Sequence, residues 1–303
     1  MSSEGKGAVG PPQAGASGEP TAEAVPEVAG PHGLRDLLVI LREPDSPAAE
    51  SLRLVRTSLQ RHLATGTRGW MVLSPWSGDG KSMVCANLAA SLSQLFLDVL
   101  LVDADLRKPT LTRVFRMEGK PGLTDCLEQR RTLDEVIQDT GVDRLRFVPA
   151  GASALNPADL LGRDLLGPLI QDLQSRCQCV LVDTSPLTAC GDALLLGAHM
   201  PRALMVLNPK NWQGEAEARV RDLLKEHGVE IQGVVLNASD DAAEGSGYGY
   251  GYGYGYGNPG EPDSSSAAGR RPASKAGPGS GSSRGGTLKR LWERLRGGGR
   301  ERE

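Results

Sequence analysis

The chain has 303 residues, a formal net charge of −3 at pH 7 and only 4% aromatic residues. A balance that near neutral gives no basic footprint for nucleic acid, and no apolar run approaches the roughly 20 residues that span a bilayer. The five cysteines (Cys85, Cys126, Cys177, Cys179 and Cys190) form no CxxC pair, so reduced, mostly buried thiols of a cytoplasmic protein are expected rather than a metal site.

Residues 1–33 are Gly, Pro, Ala and Glu with almost no large apolar side chains, too little to offset the entropy of ordering, and are expected to be disordered. They carry no basic region followed by an apolar one, so no secretory signal is expected. Residues 34–240 form the candidate folded domain, long enough for one well-buried core. It opens with PAAESLRLVRTSLQRHLA, where Leu52, Val55, Leu59 and Leu63 recur at helical spacing. Strands and helices then alternate. WMVLS (70–74) reads as a buried strand, KSMVCANLAASLSQLF as a helix, DVLLVD (98–103) as the second strand and LRFVPAG (145–151) as the third. PADLLGRDLLGPLIQDLQ reads as one helix leading into the strand CVLVD (179–183). RALMVLN (202–208) and IQGVVLN (231–237) are two more strands, joined by the helix EAEARVRDLLKEHG. This alternation predicts a three-layer α/β domain, a mostly parallel sheet with helices on both faces.

The first strand runs into SPWSGDGKS (74–82). GK[ST] between a strand and a helix is the arrangement of a P-loop NTPase. Backbone N–H groups and the helix N-terminus hold phosphate oxygens, Lys81 neutralises charge and Ser82 ligates magnesium. The first glycine of the full motif is replaced by Pro75. Asp103 and Asp105 end the second strand and Asp183 ends CVLVD, all at the carboxyl edge where such sheets bind ligands. Three carboxylates beside a phosphate loop suit a magnesium–nucleotide site.

After the domain come 241–260, a Gly-Tyr cluster, 261–286, an expected disordered linker, and 287–303, an expected short basic amphipathic helix. All five tyrosines of the chain (Tyr248, Tyr250, Tyr252, Tyr254 and Tyr256) lie in GYGYGYGYGYG. In the last segment Leu288, Leu291, Trp292 and Leu295 share one side, ringed by Lys289, Arg290, Arg294 and Arg296. Two readings stand open, docking of 287–296 on an anionic membrane surface or partner, and a solubilising end helix.

The phosphate loop, the hhhDxDxR motif at 100–107 and the hhhhDxxP motif at 179–186, followed by clustered tyrosines, resemble the bacterial protein-tyrosine kinases of capsule and exopolysaccharide synthesis. These belong with the MinD/ParA-type deviant P-loop ATPases. ESLRLVR (50–56), GLTDCL, VPAG, NPADLL and GVVLN extend the resemblance over roughly 45–240. It implies ATP and Mg2+ as cofactors, with the β- and γ-phosphates held by Lys81 and the backbone of Ser77, Gly78, Asp79, Gly80, Lys81, Ser82 and Met83. It also implies a metal site at Ser82, Asp105 and Asp183. A tyrosine hydroxyl of pKa near 10 needs a proton acceptor, for which Asp103 is the first choice and Asp105 the second. Arg107 would stabilise phosphate or hold the loop, and Asn237 would contact adenine.

By the same resemblance the tail tyrosines are phosphorylated in trans. Glu50, Arg53 and Arg56 would make subunit contacts in a ring, although read alone they are a solvated face with an i,i+3 ion pair. A separate membrane-embedded chain-length regulator would activate the kinase at the inner face of the cell membrane. Asp79, Met83, Ser185 and Pro75 depart from the commoner family pattern, and Trp76 stands where switch ATPases carry a lysine. The rival expectations are such a MinD/ParA-like switch ATPase, transferring phosphate only to water, and a non-catalytic nucleotide-binding scaffold.

Overall fold

The computed structural model describes residues 37–237. The expected N-terminal segment 1–33, the tyrosine cluster, the linker and the last helix lie outside these residues. A seven-stranded sheet carries the fold: β1 (Gly69–Leu73), β2 (Val99–Asp103), β3 (Gln138–Asp139), β4 (Leu145–Val148), β5 (Cys179–Asp183), β6 (Arg202–Leu207) and β7 (Glu230–Leu236). The order across the sheet is β3-β4-β2-β5-β1-β6-β7. All pairings are parallel except that of β3 with β4.

Strand alternation feeds two cores. Met71, Leu73, Leu100, Val102, Val180, Val182 and Met205 point to one face. Trp70, Val72, Val99, Leu101, Cys179, Leu181 and Val206 point to the other. Both faces are covered, so the central strands read as continuous apolar runs. The second face is closed by α1 (Val39–Arg42), α2 (Pro47–Ala64), α3 (Lys81–Ser93) and α4 (Thr110–Val114). The first is closed by α5 (Leu123–Leu127), α6 (Leu133–Val136), α7 (Pro157–Leu161), α8 (Leu166–Ser175), α9 (Asp192–Gly197) and α10 (Glu215–Glu226). Helix α3 is apolar nearly all round, with Val84, Cys85, Leu88, Ala89 and Leu92 buried, because it lies between the sheet and α2. Ser46 caps α2 by accepting the Ala49 N–H at 3.2 Å, with Pro47 at the first helical position.

Two expectations need correction. The single helix expected over 157–174 is two, α7 and α8, because the first helix ends at Gly162, whose N–H closes on the Ala158 carbonyl. The strand expected third is fourth, since the two-residue antiparallel β3 precedes it. A strand that short has no periodicity to read.

Candidate functional site

The phosphate loop is built from backbone that only glycine adopts readily. Gly78 and Gly80 have φ of 86° and 82°, turning successive N–H groups inward ahead of α3. A Cβ on Gly80 would lie 1.9 Å from Asn237 Nδ2. That amide donates to the Asp79 carbonyl at 3.0 Å, so the end of β7 braces the loop. The Asp79 side chain, 1% exposed, accepts from the Trp76 N–H at 3.0 Å and from Asn211 Nδ2 at 2.9 Å. Burial pushes its carboxyl above the usual range, against these hydrogen bonds. The segment after Asp183 is tied to the loop as well. Leu187 N donates to Ser74 O at 3.0 Å, and Thr188 donates to Pro75 O from N at 3.1 Å and from Oγ1 at 2.5 Å.

A pocket of about 400 Å³ lies over this loop. Ser77, Gly78, Asp79, Gly80, Lys81, Ser82 and Met83 line it together with Asp105 and Arg107. Asp103, Asp183 and Asn237 are not among the lining residues. Lys81 Nζ donates to Asp183 Oδ1 at 2.8 Å, stands 3.9 Å from Asp105 Oδ2, and is 3.4 Å from Ser82 Oγ. Burial lowers the Lys81 pKa, but Asp183 and Asp105 outweigh it and the ammonium is held above its ordinary value.

Asp103 and Asp183 stand side by side in the parallel register of β2 and β5, both fully buried. Asp103 Oδ2 accepts from the Thr112 N–H and O–H, each at 2.8 Å, and its Oδ1 accepts from the Asp105 N–H at 3.3 Å. Burial, then the charge of Asp183, raises Asp103 to about 7 despite Thr112. Asp105 Oδ1 accepts from the Ser185 O–H at 2.8 Å and the Lys108 N–H at 3.1 Å, and burial raises its pKa in spite of Lys81. Arg107 is turned to Asp192 in a two-pronged pair, 2.6 and 2.9 Å, and that pair raises its pKa.

The residues fit magnesium on one observation: Asp183 Oδ2 is buried without a hydrogen-bond partner, while its other oxygen binds Lys81 next to Ser82. Among the described residues no group of three or more His, Cys, Asp or Glu side chains forms a metal site of its own. Magnesium completed by waters and phosphate oxygens needs only one or two protein ligands.

Glu50 and Arg53 make the i,i+3 ion pair at 3.0 Å on α2, and Arg53 also donates to Pro44 O at 2.6 Å. Arg56 turns inward instead. Its Nη1 donates to Ser91 O at 3.0 Å, its Nε is buried without a partner, and burial followed by Arg53 lowers its pKa. Sequence reading missed Glu217, 2% exposed, which accepts from Trp76 Nε1 at 2.9 Å and from the Gly214 N–H at 2.6 Å. Its place three residues into a helix after Gly214 was the available signal. Thr112, Asn211 and Asp192 carried none.

The family model described as the CobQ/CobB/MinD/ParA nucleotide binding domain matches residues 70–248. The tyrosine-protein kinase wzc of Salmonella typhi is 33% identical over 203 residues, 66% of this chain and 28% of the relative. The tyrosine-protein kinase YwqD of Bacillus subtilis is 30% identical over 201 residues, 66% of this chain and 85% of the relative. The solved kinase domain of the Escherichia coli tyrosine kinase ETK is 29% identical with a TM-score of 0.64, covering 72% of this chain and 85% of that one. The chain thus spans less than a third of the length of the longer curated relatives it matches. Among the described residues no helix is long and apolar enough to cross a membrane.

Proposed function

This chain belongs to the CobQ/CobB/MinD/ParA nucleotide-binding family, in its branch of bacterial tyrosine-protein kinases, and from that premise we propose that it transfers the γ-phosphoryl group of ATP to tyrosines of its own tail. The observation that carries the reading is the convergence of the phosphate loop, Lys81 and Asp105 on one pocket, in a chain whose five tyrosines all lie within 247–257. Phosphoryl transfer asks a protein mainly for position and charge neutralisation.

In this reading Lys81 and the loop N–H groups hold the β- and γ-phosphates, and Ser82 and Asp183 are the residues that would hold the metal. Magnesium held there would supply neutralisation of the charge that develops on the transferred group. The tyrosine oxygen attacks the γ-phosphorus, the bond to the bridging oxygen of ADP breaks, and the phenolic proton passes to a carboxylate. Asp105 suits that role better than Asp103, the first choice from sequence. Asp105 lines the pocket, whereas Asp103 is fully buried with both oxygens already accepting hydrogen bonds. Arg107 holds Asp192 with Nε and Nη2 while lining the pocket, a placement that serves either of its expected roles, stabilising phosphate or holding the loop. Asn237 braces the loop through Asp79, a use of its amide that competes with an adenine contact.

The reading extends to assembly and setting. Glu50, Arg53 and Arg56 form subunit contacts in a ring, which brings one copy's tail to the next copy's pocket. Each phosphotyrosine adds about −1.5 to −2 charge, so a fully modified tail is repelled from a phosphate-filled site and the ring dissociates. A separate membrane-embedded chain-length regulator activates the kinase, segment 287–296 helps hold it at the inner face of the membrane, and the cycle controls exopolysaccharide or capsule synthesis and export.

Transfer of label from γ-labelled ATP tests the reaction. Label on protein tyrosine should fall at least a hundredfold in Asp105→Asn while ADP binding persists. Equal tyrosine labelling in Asp105→Asn and the parent chain would remove Asp105 from the chemistry.

A further inference from the structure

Trp76 lines both the pocket over the phosphate loop and a second cavity of about 530 Å³, between the turn at 187–188 and α10. Leu187, Ala216, Val220 and Leu223 supply apolar walls to this groove. Glu215 and Arg219, 3.8 Å apart on α10, also line it and are highly exposed, so its rim carries one charge of each sign. The shared wall is held in place. Trp76 Nε1 donates to the buried Glu217, and Thr188 is hydrogen-bonded to Pro75. The groove therefore opens beside the first residues of the phosphate loop rather than on an unrelated face.

We propose that this groove docks the acceptor, and that its occupant is the segment 247–257 of a second copy of this chain. The inference rests on the tyrosine-kinase reading of the adjoining pocket. Its chemistry comes from both partners. The segment is uncharged and alternates glycine with tyrosine, matching apolar walls whose rim has no excess charge. In an extended strand every second side chain faces the same way, and a two-residue step advances about 6.6–6.8 Å, the scale of one aromatic side chain. One tyrosine can then lie against Trp76 and the aliphatic walls while a neighbouring one enters the adjoining pocket, which Trp76 and Asp105 both line. Glycines between them carry no Cβ, which lets the backbone lie close to the walls. The same geometry repeats at each step, so five tyrosines present themselves in turn to one site. The span from Asn237 to Tyr248 is 11 residues, at most about 36–40 Å when extended, which lets the segment leave its own fold and reach a neighbour's groove.

The test measures binding without turnover. A fluorescently labelled peptide of residues 247–257 is titrated onto the full chain carrying Ala in place of all five tyrosines, in magnesium–ADP. The same titration is run with Ala216→Trp, which fills the groove, and with Leu223→Gln, which makes a wall polar. ADP affinity of each sample serves as the folding check. Peptide Kd should rise at least tenfold in both variants, and a peptide with Ala for Tyr should not bind. Hydrogen exchange on the chain with its groove unaltered supplies a measurement that needs no variant, since peptide should protect 187–188 and 215–223. Equal peptide affinity in the filled and open groove, or no protection there, overturns the proposal and assigns the groove to another partner. The two readings fail differently. Peptide binding without phosphoryl transfer removes the kinase reading and leaves the groove. Tail phosphorylation that is insensitive to Ala216→Trp removes the groove and leaves the kinase.

Discussion

Replacing Lys81 by Met should weaken the fold as well as the chemistry. Lys81, 6% exposed, lies 2.8 Å from Asp183 and 3.9 Å from Asp105, with the buried Asp103 beside Asp183 in the sheet. Removing the ammonium leaves three buried carboxylates without their cation, and breaking a buried pair from one side costs about 3–5 kcal/mol. A second route to the magnitude agrees. Without Lys81 the cluster can take up one proton beyond the one Asp103 binds, and holding a second carboxyl of ordinary pKa about 3.9 protonated at pH 7 costs about 1.36 kcal/mol for each of roughly three pH units, or about 4 kcal/mol. This cost depends on pH with a definite sign. The folded variant then binds a proton that both its unfolded chain and the folded parent lack, so its stability rises more steeply than the parent's as pH falls towards about 4. The deficit relative to the parent chain should shrink from about 4 kcal/mol at pH 7 to about 1.5 kcal/mol at pH 5. Urea denaturation of both nucleotide-free chains at the two pH values measures it. A deficit below about 1 kcal/mol at pH 7, or one unchanged at pH 5, would refute the charge argument.

In the parent chain Asp103, raised to about 7 by burial and Asp183, binds protons more tightly folded than unfolded. Its stabilising contribution is therefore greatest below about pH 4 and is lost as pH rises towards 7. Asp103→Asn should flatten that stretch of the urea-midpoint profile, and an unaltered profile would count against it. Gly80→Ala forces a left-handed φ of 82° on a residue whose Cβ meets Asn237 Nδ2. Strain of about 1–2 kcal/mol and the lost brace should cut fluorescent ADP affinity more than tenfold, whereas near-normal affinity would mean the loop does not need this conformation. Glu50→Ala removes only an exposed i,i+3 pair, so stability should change by less than about 0.5 kcal/mol. Sedimentation should nevertheless show the assembly reduced to monomers, and an unchanged mass would discard the ring contact.

The order of layers was legible because the central strands β1, β2 and β5 are buried on both faces and read as apolar runs. The phosphate loop and the strand-end aspartates were legible for a local reason. Gly78 to Ser82 lie in one turn, and Asp103 and Asp183 each close an apolar strand. What was not legible is the way distant residues use those groups. Trp76 meets Glu217 across 141 residues and Asn237 meets Asp79 across 158, pairings that no periodicity encodes. Asp103 and Asp105 look equivalent in LLVDADLRKP until Thr112 holds Oδ2 of Asp103 from two sides while Asp105 lines the pocket. Arg56 likewise looked like Arg53 at helical spacing, but it turns in to Ser91 while Arg53 pairs with Glu50.

The most direct test is mass spectrometry of the peptide spanning 240–270 after the full chain is incubated with ATP and magnesium, with and without the cytoplasmic segment of a candidate activator. Asp105→Asn runs beside it as the chemically disabled control. The account predicts phosphate on Tyr248, Tyr250, Tyr252, Tyr254 and Tyr256 in the parent chain and a tail left almost unmodified in the control. ATP hydrolysis with an unmodified tail, activator present, would contradict it and leave a switch ATPase in its place.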